Sequence, residues 1–81
     1  MRVDLKLVAD VATCAGGDIH NVREIICQYD NWLVLARLKP ENTEYLEKAE
    51  FCEKLLRAYY YRKKSGEGIS IFELRKILKP V

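Results

Sequence analysis

From Glu41 to Ser65 the chain contains neither proline nor glycine, and the bounding Pro40 and Gly66 mark where an uninterrupted helix begins and ends. Within it Tyr45, Ala49, Cys52, Leu56 and Tyr59 recur at alternating spacings of four and three, which aligns them as one apolar stripe. Leu46, Phe51 and Leu55 widen it. Glu44 with Lys48, Glu50 with Lys54 and Glu53 with Arg57 are acid-first pairs four apart, the favourable order on a solvated helix face. Residues 41 to 54 carry five Glu against two Lys, whereas 57 to 64 carry Arg57, Arg62, Lys63 and Lys64. That polarity complements a helix macrodipole. A long amphipathic helix needs other helices to cover its stripe, so the expected fold is all-α: a compact bundle of four to five helices.

The flanking segments supply them. Ser70 and Glu73 form an S-x-x-E capping box flanked by Ile69 and Leu74, which starts a short helix at Ile71 that Pro80 stops near Leu78. Ile71, Leu74, Ile77 and Leu78 are its apolar face, with Phe72 partly exposed. Ile19, Val22, Ile26, Tyr29, Leu33 and Ala36 keep a helical repeat through Asp30-Asn31, giving one helix over 19 to 38 or two, the second capped by Asp30 or Asn31. Leu5, Val8, Val11, Ala12 and Ala15 read as a further helix ending at Gly16-Gly17. The rival for residues 2 to 8 and 32 to 38 is an antiparallel pair of strands, since Val3, Leu5 and Leu7 also alternate with polar residues. Two isolated short strands make a marginal sheet, which favours helix.

Eighty-one residues suit one domain spanning 1 to 81. Its 14 Lys+Arg and 12 Asp+Glu nearly cancel, which excludes both a polyelectrolyte tail and a strongly basic coat for nucleic acid. No apolar run is long enough to cross a bilayer, and Met1-Arg2-Val3-Asp4 lacks the layout of a signal peptide, so the expected location is cytoplasmic and no membrane partner is expected. Cys14, Cys27 and Cys52 are odd in number and fall among apolar helical positions, as reduced packed thiols do. Cys14, His20 and Cys27 are spaced too widely for one zinc ion, so neither metal nor cofactor is expected. One histidine, no Gly-rich phosphate loop and no G-x-S-x-G leave little catalytic equipment. The chain reads as non-enzymatic, without a small-molecule substrate.

Val11-Ala12-Thr13-Cys14-Ala15-Gly16-Gly17-Asp18-Ile19-His20-Asn21-Val22 has a small residue, a glycine four positions on and an apolar anchor six beyond, at Ala12, Gly16 and Val22. In this it resembles the helix-turn-helix of lactose-repressor-like DNA-binding domains, over about residues 8 to 28. The resemblance implies helices from about Asp4 to Ala15 and from about Asp18 to Gln28, with Asp18 capping the second and Ile19 and Ile25 packed inward. It departs at Gly17, where the family places a branched apolar residue. It further implies that His20, Asn21, Arg23 and Glu24 face base edges or phosphates. Residues 1 to 40 hold five basic and five acidic side chains, so phosphate contacts must come from elsewhere. Tyr59-Tyr60-Tyr61-Arg62-Lys63-Lys64 joins aromatics to cations, and from Arg57 to Val81 the net charge is +5, seven basic against two acidic residues. Arg62, Lys63 and Lys64 are therefore the expected phosphate contacts.

Ser65 to Leu74 resembles a calcium-binding EF-hand loop in its Gly68, Ile69 and Glu73, but Ser65 and Glu67 stand where a run of Asp ligands is needed. It reads as a glycine turn followed by the Ser70 cap. Finally, the Tyr45, Ala49, Cys52, Leu56 and Tyr59 stripe has coiled-coil spacing, and Tyr45, Ala49, Leu56 and Tyr59 with the adjacent Tyr60 are the expected face for a homodimer or a protein partner. The expected function is a small DNA-binding transcriptional regulator or accessory protein. The alternative is a helical protein-interaction module, an adaptor or inhibitor.

Overall fold

A computed structural model describes residues 2 to 79, and among them every regular element is helical: α1 (Leu5–Cys14), α2 (Ile19–Leu38), α3 (Thr43–Lys64) and α4 (Ile71–Leu78), with a single 3-10 turn at Gly16–Asp18. The fold is all-α, and the strand pairing of residues 2 to 8 with 32 to 38 does not form. Asp30 and Asn31 lie inside α2, which runs unbroken through them, so neither is a cap. The stop assigned to Pro80 lies outside the described residues.

Local chemistry sets most boundaries. Asp4 caps α1 by accepting the Leu7 N–H at 3.1 Å, Asn42 caps α3 through the Glu44 N–H at 3.1 Å, and Ser70 caps α4 through the Glu73 N–H at 3.2 Å. Helix α3 closes in a Schellman turn, in which the Glu67 N–H donates to the Arg62 carbonyl and the Gly66 N–H to that of Lys63. Gly66 supplies the positive φ of 86° this turn requires.

Helix α3 is the spine. Antiparallel α2 pairs with it along its length, Asp18 meeting Tyr59 at one end and Trp32 stacking on Tyr45 at the other. Helix α1 runs parallel to α3, its Asp4 end held near Arg57. Helix α4 returns antiparallel from the level of Asp18 towards Lys48. The core they share contains Leu7, Val11 and Ala15 of the first helix and corner, Val22, Ile25, Tyr29 and Leu33 of α2, Ala49, Cys52, Leu55, Leu56 and Tyr59 of α3, and Ile71 and Leu74 of α4. Several positions depart from the sequence reading: Leu5 and Leu46, read as members of apolar stripes, are exposed at the edges of α1 and α3. Ile77 is 64% exposed, because α4 turns its Ile71–Leu74–Leu78 edge inward. Cys27 is exposed rather than packed, because Ile25 and Tyr29 set the buried face of α2 and residue 27 falls nearly opposite.

The molecule measures 40 × 28 × 18 Å. That least dimension is about two helix layers, so each helix keeps one face in solvent.

Candidate nucleic-acid interface

The end of the molecule where α1 turns into α2 is organised by one carboxylate. Asp18 Oδ2 accepts the Tyr59 hydroxyl at 3.1 Å and the Ile71 N–H at 2.8 Å, while Oδ1 accepts the Asn21 amide at 2.9 Å. Asp18 therefore does not cap its own helix as expected. It completes the N-terminus of α4, 53 residues away in sequence, and ties it to α3. The correction has a geometric cause: the 3-10 turn carries the chain into α2 with Asp18 already turned towards the core, where a buried Tyr59 ring ends in a hydroxyl that needs an acceptor. Burial above all, and next the Asp18 carboxylate, hold the Tyr59 phenol far above its ordinary pKa.

Tyr29 makes the matching contact farther along. Its ring is fully buried, and its hydroxyl donates to Glu53 Oε2 at 3.0 Å and accepts the Asp4 N–H at 3.1 Å. Arg57 closes the cluster, 2.6 Å from Glu53 and 3.7 Å from Asp4. Among the described residues no buried side-chain polar atom lacks a partner.

Around the Asp18 end stand the residues selected from sequence. His20, Arg23 and Glu24 are exposed on the first turns of α2. Asn21 is half-buried, with its amide nitrogen engaged by Asp18, so it is part of the scaffold rather than a free reader. At the end of α3, Arg62 is paired with Glu67 at 3.2 Å, Lys63 lies over the Tyr59 ring at 5.4 Å and Lys64 over Tyr60 at 5.5 Å. The Asp18–Tyr59 bond brings these cations to the same end of the molecule as the α2 N-terminus. Of the motif spacing, Gly16 adopts φ 56° and Val22 is buried, whereas Ala12 is only half-buried and Gly17 is exposed. The missing branched residue at Gly17 thus leaves no hole to fill.

The partner face expected on α3 is corrected. Ala49, Leu56 and Tyr59 are fully buried within the monomer, since the stripe that could seat a second copy is what α1, α2 and α4 cover. Tyr45 is half-buried, stacked on Trp32 with centroids 5.9 Å apart, and Tyr60 is half-buried beside Tyr61. A feature not legible in the sequence is a groove of about 770 Å³ between α2, α3 and α4, with Trp32, Phe51 and Cys52 along it and Arg75, Lys76 and Lys79 on one wall. Lys48 covers the Trp32 ring at 4.5 Å. The Cys14 and Cys52 thiols are both pushed up in pKa, first by burial, which favours the thiol over the thiolate. Among the described residues no three His, Cys, Asp or Glu side chains converge as metal ligands, and no helix is long and apolar enough to cross a membrane. Compared with protein-family models, with curated proteins and with solved structures, this chain finds no match.

Proposed function

We propose that this protein binds duplex DNA through its Asp18 end and serves as a small non-enzymatic transcriptional regulator or accessory protein in the cytoplasm. The observation that carries the reading is the Asp18 junction. By bonding Tyr59 and Ile71 it joins the α1–α2 corner to the basic end of α3, so exposed His20 and Arg23 share one end of the molecule with Lys63 and Lys64. In this reading Arg23 and His20 meet base edges, Glu24 selects among them, and Lys63 and Lys64 neutralise phosphates. Arg62 contributes less, because Glu67 already holds it.

The test is fluorescence anisotropy against a pool of random duplexes from low to physiological salt, with sequencing of the retained fraction. A short enriched motif whose affinity falls with salt is the expected result. Replacing Lys63 and Lys64 together by Ala weakens all sequences alike and lowers the salt slope by about 2, since each phosphate no longer neutralised lowers it by close to one. His20→Ala with Arg23→Ala instead relaxes the motif, at a cost of about 1–3 kcal/mol for each base pairing removed. Failure to retain any duplex at low salt sinks the proposal. The second reading, a protein-interaction module, is favoured by the Trp32–Phe51 groove, whose lining sets Lys48, Arg75, Lys76 and Lys79 against Glu44 and Glu47, and an acidic protein segment lying along the α4 wall is the partner that this excess of positive charge suits.

A further inference from the structure

Directly opposite its buried edge, α2 carries a second regular stripe. His20, Glu24, Cys27, Asn31, Val34 and Leu38 follow one another at spacings of four and three, and all six are exposed. The N-terminal part is polar, whereas Val34 is 43% and Leu38 71% exposed, large apolar side chains left open to solvent on that edge. This is the spacing of a helix that packs along another helix. We infer that a second copy of this chain seats on the stripe, with the two α2 helices antiparallel and the two-fold axis between residues 32 and 33.

Charge and polarity choose both occupant and orientation. In the antiparallel register Leu38 packs against Cys27 of the second copy and Val34 against its Asn31. Asp30 and Arg37, both exposed beside the stripe, come opposite each other twice, once on each side of the axis. The two Asn31 side chains flank the axis about 4–5 Å apart along the helices, close enough for their amides to bond to one another. In a parallel pair Glu24 faces Glu24, and Asp30 no longer meets Arg37. The contact is short, so the dimer is weak and reversible.

The dimer does not depend on the nucleic-acid reading and is tested without DNA, by sedimentation equilibrium of the full chain from micromolar to sub-millimolar concentration. A concentration-dependent rise to twice the monomer mass is expected. Val34→Glu with Leu38→Glu leaves the circular dichroism unchanged, and the melting curve too at concentrations low enough for both chains to be monomeric, both sites being exposed, and abolishes the rise. Asp30→Arg weakens association at least several-fold, and adding Arg37→Asp restores it. Under mild oxidation Leu38→Cys forms disulfide-linked dimers with Cys27 while the unaltered chain does not, because antiparallel Cys27 residues stand about 16 Å apart along the helices. A monomer at every concentration, or a Val34→Glu/Leu38→Glu variant that still associates, overturns the proposal. Rapid Cys27–Cys27 linkage overturns its orientation.

Discussion

Asp18 is the side chain on which the arrangement of three helices turns. Removing it by Asp18→Ala leaves the buried Tyr59 hydroxyl and the Ile71 N–H without their acceptor. The expected cost is about 2–4 kcal/mol, a large share of the stability of a domain this size. Asn21→Ala, which removes only a donor at the edge of the same carboxylate, should cost under about 1 kcal/mol. Urea unfolding separates the two, and equal midpoints for Asp18→Ala and wild type would remove Asp18 from its place at the junction. Tyr59 adds a pH signature. Its phenol keeps its proton in the native state well beyond the pH near 10 at which the unfolded chain releases it. Above about pH 10 the unfolded state therefore binds fewer protons, and stability falls as pH rises. Tyr29, raised chiefly by burial, acts with the same sign. The Cys14 and Cys52 thiols, also raised by burial, act with the same sign from slightly lower pH. Unfolding free energy should begin to decline near about pH 9 and fall more steeply above about pH 10, where Tyr59→Phe should decline less steeply than wild type. A slope unchanged by Tyr59→Phe would assign the effect elsewhere.

At the scale of elements, the α1–α2 corner rests on one glycine. Gly16 sits at φ 56°, with open space where a Cβ would be, so the cost of Gly16→Ala is conformational alone, about 1 kcal/mol. Gly17 has neither positive φ nor a neighbour within 4 Å, and Gly17→Ala should be neutral or stabilise by about 0.4–1 kcal/mol. Thermal melts of the two variants should move in different directions; a drop at Gly17 as large as at Gly16 would mean that the turn is packed rather than free. The corner also marks where the sequence stops being readable. Helices α3 and α4 are legible because their stripes, caps and breakers are local: Asn42, Ser70 and Gly66 act within a few residues of themselves. Asp18 has the look of one more local cap, but beyond Asn21 its carboxylate bonds to partners 41 and 53 residues away, which no spacing rule reports. The stripe on α3 is apolar as its spacing indicates, but spacing alone does not say whether a sister helix or a second copy covers it. On α2 two stripes compete, one through Val22, Ile25, Tyr29 and Leu33 and the other through Cys27, Val34 and Leu38. Only packing decides which is core.

Taken whole, the molecule is a slab two helices thick in which α2 is shared between three tasks. Its inner edge is core, its first turns carry His20 and Arg23, and its outer edge towards Leu38 is the face inferred for a second copy. These tasks fix a length. With the two-fold axis between residues 32 and 33, the two His20 positions of an antiparallel pair lie about 37 Å apart along the helices, at roughly 1.5 Å per residue. One turn of B-DNA is about 34–36 Å, the distance between half-sites that a two-fold protein reads. The regulator reading and the inferred dimer, each testable without the other, therefore combine into one prediction. Duplexes selected by the protein should contain two inverted half-sites about 10 base pairs apart, bound at two chains per duplex. Inserting about five base pairs between them rotates one half-site to the far side of the helix and should reduce binding to that of a single half-site. The Val34→Glu/Leu38→Glu variant should bind both duplexes alike, since it has no partner to place. Equal affinity of wild type for the original and the lengthened duplex would show that any DNA binding is monomeric, even if the free protein dimerises, and would detach the outer face of α2 from recognition.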